Sequence, residues 1–471
     1  MKKRLLITAA VLVLLLAVVY GIWALTMNPY RGVPDTYSAT LELDEVLTQK
    51  QAAEDLRQVR RWLKTRHPAW LLDQQLAAQV EEALEEAERN LPERVTVLQL
   101  WQDIGRCLHL LGDAHTRVWA SPKHPLYLSD LAPLQIYGPP SAIQGVAAEQ
   151  FVQSALPLLS YEIEAYARQT LLTEYLVSGH WMNYLGVDTA DGLALTFQTE
   201  TGPETLAFGY VFPELVKGSE EEPWVSYEID EENDLGIFRL TYCTVDHTYM
   251  ETLDSFFQAV FDSGVSRIAV DLRGNGGGNS GAANMFIQYL DVQTYRSWDS
   301  DVRYGWYLVK NRDTIIKNAR KPRTFQGTVY VLTDVETFSA GKDFALLLAD
   351  NDLAVHVGQA PGNLPDCYID LLQFQLPNSG LRVDVSWKRA YRIDESKRGL
   401  PLVPDVTTDT PLEWIKTQHE KNESLSKSCF DKLLFRYRYR SSSRRTVHPS
   451  RTSCQVASKS PVYQGSVTSL R

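Results

Sequence analysis

Hydrophobic and polar positions change period several times along the chain. Residues 5–27 (LLITAAVLVLLLAVVYGIWALTM) carry no charge and follow Lys2, Lys3 and Arg4; as a helix they reach about 35 Å, enough for a hydrocarbon core. Residues 28–50 read as a polar connector. From 51 to 111 apolar positions recur with the helical period, with Leu56, Val59, Trp62 and Leu63 on one face and Pro92 marking a start or break. Residues 155–176 also read as helix, whereas 192–200, 204–212 and 235–243 partly alternate as strands, and the acidic stretch 220–234 reads as a surface hairpin or linker. A regular order then sets in: helix 250–264, strand 266–273, strand 327–334, helix 339–351, strand 353–358. Strands separated by helices predict a mostly parallel sheet, whose ligand sites lie beyond the carboxyl ends of the strands.

These changes divide the chain into an N-terminal apolar segment (1–30), a helical domain (31–120), a cap or cleft wall (121–220), an α/β domain (221–410) and a tail (411–471). With 471 residues, 44% of them hydrophobic, the chain can bury a large core, which excludes a disordered or disulfide-stapled polymer. The net charge of -11 argues against a nucleic-acid partner. The charge is uneven: residues 427–471 hold ten Lys or Arg, ten Ser and one acid, Asp431. That composition predicts a disordered extension, with anionic lipid or envelope polymer as a conceivable contact. The five cysteines, Cys107, Cys243, Cys367, Cys429 and Cys454, show no metal-ligand spacing. Basic residues ahead of the apolar run should stay cytoplasmic, so the rest is expected outside the cell membrane as a single-pass protein, or secreted if the run is a cleaved signal.

Candidate chemistry collects at three places. In DLRGNGGGNSG (271–281) a strand runs into Gly274, Gly276, Gly277 and Gly278, which let backbone N–H groups approach a developing negative charge. In VYVLTDVETFSAGKDFALLL (329–348) a strand turns into Ser339 at a helix start, a place for an ordinary N-cap or for a nucleophile. In LLGDAHTRVWA (110–120) a helix gives way through Gly112 and Asp113 to a strand, leaving His115 at the boundary. A base 224 residues from its serine is no obstacle, since triads assemble in space. Asp394 and Glu395, in YRIDESKRGLPLVPD (391–405), are the acids for the second imidazole nitrogen; Asp113 is too close to His115 in sequence to be preferred, though it could stiffen the turn. Lys342 completes an S-x-x-K pattern and is the alternative base, although the SDN and KTG companions of that pattern are missing.

Taken in order, EDLRQVRRWLKTRHP (54–68), LLGDAHTRV (110–118), SYEIEAYAR (160–168), DLRGNGGGNSG (271–281), TFSAGKDFA (337–345), QLPNSGLRVDVS (375–386) and GLPLVPDV (399–406) resemble the C-terminal-processing and tricorn-core family of serine peptidases, family S41. The resemblance implies an α/β catalytic domain over 221–410, similar to the ClpP/crotonase type, behind a helical domain. It implies Ser339 as nucleophile and the backbone N–H groups of Ala340 and Gly277 as oxyanion donors. The processing branch uses a Lys about 25 residues after the nucleophile, but no Lys occurs between Lys342 and Lys388. The tricorn-like branch uses His and Glu, which matches His115 with Glu395 or Asp394 as its acid. Relatives commonly carry an acid where Lys342 stands. No usual PDZ module is evident between 120 and 220.

The expectation is therefore a serine endopeptidase acting on extracytoplasmic peptides or proteins through an acyl-enzyme, with no cofactor or metal, and with the membrane met through residues 5–27. The alternative is a catalytically inactive, membrane-tethered peptide-binding or scaffold protein of the same fold.

Overall fold

In the computed structural model of the protein, residues 2–218 and 223–418 are described. The apolar runs that lie between helices become the centre of a six-stranded sheet, ordered Val225–Asp230, Leu235–Leu240, Arg267–Asp271, Thr328–Thr333, Val355–Gly358, Val406–Thr407. The first pair is antiparallel and the other four pairings are parallel. All five residues of Arg267–Asp271 are buried, as a strand covered on both faces requires. One face packs against the helices His247–Ser263, Gly281–Ile287 and Ala340–Asp350, through Phe256, Phe257, Phe286 and Phe344. The other is closed by Leu235, Ala269, Leu332, Val357 and Ile415. Within 220–234, read as a surface hairpin or linker, Val225–Asp230 forms the antiparallel edge strand and pairs across the turn 231–234 with Leu235–Leu240, so the hairpin is the form taken.

A second, antiparallel sheet runs Tyr307–Asn311, Asp299–Tyr304, Arg382–Tyr391, Tyr368–Gln375, and the short strand Arg117–Trp119 also pairs with Arg382–Tyr391. Helices Gln49–Arg66, Gln74–Arg89 and Val97–His109 close over it. Each starts at a side-chain cap: Thr48 in a capping box with Gln51, then Asp73, then Thr96. Trp62 stacks on Phe374 at 4.6 Å between ring centroids, and Leu56, Val59 and Trp101 share one core with Val383 and Val385. That core also takes in Leu193, Leu195 and Phe197 from a small antiparallel sheet within 121–208, so it crosses the expected division at 120. The stretch 155–176, expected as one helix, is a 3-10 turn at Leu156–Leu158, an α-helix at Glu164–Thr170 and a π-turn at Leu171–Tyr175, with Pro157 interrupting the ladder. Within the expected helical stretch 51–111, Arg94–Thr96 instead pairs with Val46–Thr48, directly after Pro92.

At the N-terminus an α-helix, Lys2–Ile22, continues as a π-turn, Trp23–Met27. Its 20 residues Thr8–Met27 are long and apolar enough to cross a membrane, and none of that window is buried. At the other end residues 411–418, placed in the tail by their sequence, are helical and Ile415 is fully buried. The basic stretch 427–471, with Cys429 and Cys454, lies outside the described residues. Cys107, Cys243 and Cys367 are free and buried.

Candidate active site

His115 is held by the chain on both sides. Helix Val97–His109 ends, Gly112 takes a positive φ of 54°, and the fully buried Asp113 accepts the N–H of His115 at 2.9 Å. Two residues later the chain zips into the second sheet, with Arg117 opposite Asp384, Val118 opposite Val383 and Trp119 opposite Arg382. Ser386 N–H adds a bond to Thr116 Oγ1 at 3.0 Å. The other oxygen of Asp113 lies 3.0 Å from His67 Nε2. Because His67 Nδ1 accepts Ala69 N–H (3.2 Å), its proton sits on Nε2 and is donated to Asp113. Burial pushes His67 down toward the neutral form. Burial alone would raise the Asp113 carboxyl; the bond from His67 overrides it and holds the group well below the usual range.

Ser339 follows the strand Thr328–Thr333 through a turn built on Asp334, whose Oδ1 accepts Glu336 N (3.0 Å) and Thr337 N (2.9 Å). The same carboxylate takes Gly274 N–H at 3.0 Å, tying the turn to the glycine loop. Ser339 itself has φ 49° and ψ −120°, a sparsely populated backbone state that costs on the order of 1–3 kcal/mol. It is fixed from three sides: its N–H donates to Asn363 Oδ1 (2.9 Å), its carbonyl accepts Asp343 N–H (2.9 Å), and the preceding Phe338 N–H donates to Asn275 O (2.8 Å). The ordinary N-cap role does not hold, since the side chain makes no cap bond to its own helix. Ser339 Oγ instead lies 3.0 Å from His115 Nε2.

The glycine loop packs directly against this serine. Gly277 has φ 104°, and a Cβ there would fall 2.6 Å from Ser339 Cβ, so only glycine fits. Its N–H, expected as an oxyanion donor, is already given to Asn275 Oδ1 at 2.9 Å. The fully buried Asn275 uses its own amide on Leu240 O (2.6 Å) and thereby shapes the loop. The next amide, Gly278 N–H, meets no acceptor among the described residues. Neither does Ala340 N–H, which as the first residue of its helix has no intrahelical acceptor.

The expected acids do not reach the imidazole. Asp394 and Glu395 sit in a 3-10 turn at the surface. Ser396 binds Asp394 through N–H (3.1 Å) and hydroxyl (2.6 Å), which with Lys397 brings its carboxyl down to about 2. Glu395 is exposed and faces Arg398 at 3.6 Å. Local partners in a polar turn thus satisfy both groups. The carboxylates near His115 are Asp113, with Oδ1 3.9 Å from Nδ1, and Glu162, which with the other two brings one donor atom each within 4.8 Å of the rest. Nδ1 is buried and has no hydrogen-bond partner among the described residues. Glu162 accepts Leu364 N–H (2.9 Å) and Ala114 N–H (3.4 Å), bridging the histidine loop to the segment after Asn363. Burial, then the charge of Asp113, raises its carboxyl to about 8. These three side chains are close enough to share a cation, but both oxygens of Asp113 and of Glu162 already accept hydrogen bonds.

Lys342 is fully buried. Its buried ammonium pairs with Asp343 Oδ1 at 2.5 Å. Burial works against that charge, but Asp343 outweighs it and holds the pKa above the ordinary lysine value, so Lys342 keeps its proton. Burial, reinforced by the positive charge of Lys342 and opposed by Asp113, pushes His115 down and leaves a neutral imidazole beside the hydroxyl. Phe338 packs on His115 (4.9 Å) and stacks on Tyr166 (4.6 Å), forming one wall. Asp113 lay in view within the G-D-x-H segment, whereas Asn363 and Glu162 carry no local signal for their roles.

Residues 234–406 match the model of peptidase family S41. Among solved structures, mature CPAF complexed with lactacystin is 13% identical, with 82% of this chain and 99% of that chain covered and a TM-score of 0.58. Mature CPAF in a second structure is 14% identical, with 80% and 95% covered and a TM-score of 0.54. At such identities the likeness is one of fold. No curated protein sequence matches the chain.

Proposed function

Since the chain is a member of peptidase family S41 through residues 234–406, a family of serine peptidases, we propose that it hydrolyses peptide bonds through an acyl-enzyme on Ser339 with His115 as general base, within a fold of the ClpP/crotonase type. The observation that carries this reading is the 3.0 Å approach of Ser339 Oγ to His115 Nε2. A neutral imidazole protonated on Nδ1 presents Nε2 as the acceptor the hydroxyl needs. As Oγ bonds to the substrate carbonyl carbon, the hydroxyl proton moves to Nε2 and the carbonyl electron pair to oxygen. The N–H groups of Ala340 and Gly278 receive that oxyanion; each such donor supplies roughly 3 kcal/mol of transition-state stabilisation. The imidazolium then protonates the leaving amine, and water repeats the two steps to release the acyl group.

Asp113, rather than Glu395 or Asp394, takes the part of the acid beside the imidazole. It is ionised and buried, and it faces Nδ1, where its charge stabilises the imidazolium. The 3.9 Å gap is longer than a hydrogen bond, in keeping with substrate-free sites whose contacts tighten on binding. Glu162 and Tyr166 come from the 121–220 segment, which supports its reading as a wall of the substrate cleft. Thr8–Met27 serves as a membrane anchor, with Lys2, Lys3 and Arg4 on the cytoplasmic side and the peptidase acting on extracytoplasmic peptides or proteins. If that segment is a cleaved signal, the same enzyme is secreted.

The test is hydrolysis of fluorescein-labelled casein by detergent-solubilised full-length protein beside its Ser339→Ala variant. Cleavage by the first and none by the second is expected. Equal cleavage would remove Ser339 from the chemistry, and none by either would favour an inactive peptide-binding scaffold.

A further inference from the structure

Where the apolar N-terminal helix meets the body, a hairpin of the second sheet stands beside it. Strands Asp299–Tyr304 and Tyr307–Asn311 pair antiparallel with Tyr304 opposite Tyr307, leaving Gly305 and Trp306 as a two-residue turn. Gly305 has φ 57°, and a Cβ on it would collide with Thr26 O and come within 3.3 Å of Met27 Sδ, so the turn backbone rests on the end of the helix. Both sides of this contact are tied down. Arg303 Nε donates to Gly305 O at 2.8 Å while its other nitrogens reach the carbonyls of His67 and Lys64. Arg66 donates to Pro29 O (2.7 Å) and Arg31 O (3.1 Å), and Arg31 donates to Leu25 O.

Around this junction the chain displays rings that a water-facing surface does not need. The four most exposed aromatic side chains among the described residues are Tyr20 (67%), Trp306 (62%), Tyr30 (58%) and Tyr307 (58%). Trp306 and Tyr307 belong to the turn beside the helix, Tyr30 follows the helix end by three residues and packs edge-on against Trp387, and Tyr20 lies two helical turns before that end. Trp and Tyr, with an apolar ring and a polar tip, concentrate at the level of lipid headgroups. If Thr8–Met27 crosses the hydrocarbon, that layer begins near Met27 and extends about 5–8 Å outward. A turn in contact with Thr26 and Met27 lies within it.

We infer that the Gly305–Tyr307 turn is a second membrane contact, seated in the headgroup layer of a phospholipid bilayer next to the anchor and fixing how the peptidase stands on the membrane. The inference rests on the anchor reading above. Two attachments, one spanning and one interfacial, hold the body against tumbling about the short connector.

Full-length protein is reconstituted into phosphatidylcholine vesicles whose acyl chains are brominated close to the headgroup, beside unbrominated vesicles, as wild type and as Trp306→Phe. With eleven tryptophans in the chain, Trp306 emission is read as the difference between the two proteins. Expected is loss of most of that difference emission in brominated vesicles, with casein cleavage unchanged in the variant because Trp306 is remote from Ser339 in role and exposed. Protein that survives alkaline extraction from the vesicles while its Trp306 emission is unquenched would overturn the inference and leave the anchor standing. Protein stripped by alkali would overturn the anchor reading itself. Quenching absent together with chemical cross-linking of a Trp306→Cys variant to a second copy would assign the turn to self-association instead.

Discussion

The basicity of the His115 imidazole is set by its burial and by charged neighbours. Burial and Lys342 depress its basicity, while Asp113 raises it. The base is therefore expected to stay neutral below the ordinary histidine value of about 6.5, and the acid limb of kcat/KM should fall beneath that pH. Asp113→Asn removes the charge that favours imidazolium. It should lower kcat/KM by roughly two to four orders of magnitude and move the acid limb to still lower pH, a displacement that loss of packing alone would not produce. Glu162 gives a prediction about stability. Its folded pKa of about 8 stands above the unfolded carboxylate value, so the folded state binds more protons between about 4.5 and 8. Its contribution is complete below pH 4.5 and is lost as pH rises through 8. Melting temperatures measured from pH 5 to 8.5 should fall for the wild type and fall less for Glu162→Gln; parallel curves would dissociate Glu162 from the effect.

At the scale of elements, the site is a junction of three turns: the serine turn and the glycine loop are tied backbone to backbone, and the histidine turn meets them through its imidazole. Gly277 is the tightest point: a methyl group there meets Ser339 Cβ and requires a φ that alanine resists. Gly277→Ala should keep the main sheet, and hence the far-ultraviolet circular dichroism, while displacing the nucleophile and reducing casein cleavage by at least a hundredfold; full activity would show the loop to be slack. These elements were unevenly legible. Strands Arg267–Asp271 and Thr328–Thr333 and helix Ala340–Asp350 announce themselves as uninterrupted apolar runs or a clear helical period, because both sheet faces are covered. The edge strand Val225–Asp230 is less legible because its middle positions, Tyr227 and Glu228, are exposed and interrupt the alternation. Ser339 and His115 could be found because a strand-to-helix turn and a helix-to-strand turn are local events. Nearness in sequence argues against Asp113, yet a side chain that accepts the N–H two residues on also lies beside the following ring. Asn363 and Glu162 were hidden since their partners, 24 residues away in one case and 202 in the other, are fixed only by tertiary packing.

On the scale of the whole molecule, the peptidase-family match begins at residue 234, whereas His115, whose imidazole lies against Ser339, stands outside it. The link is mechanical: Arg117–Trp119 adds to Arg382–Tyr391 in the second sheet, and a hydrophobic core shared with helices Gln49–Arg66 and Val97–His109 keeps that strand in place. The helical part thus supplies the imidazole that stands beside Ser339, and its sequence spacing from the serine says nothing about their distance. The most direct measurement is mass-spectrometric mapping of the full-length protein after reaction with a fluorophosphonate. One phosphonyl group per chain on Ser339, abolished by Ser339→Ala and strongly slowed by His115→Ala, is the predicted result. A modified residue elsewhere, or labelling of Ser339 as fast without His115 as with it, would contradict the account.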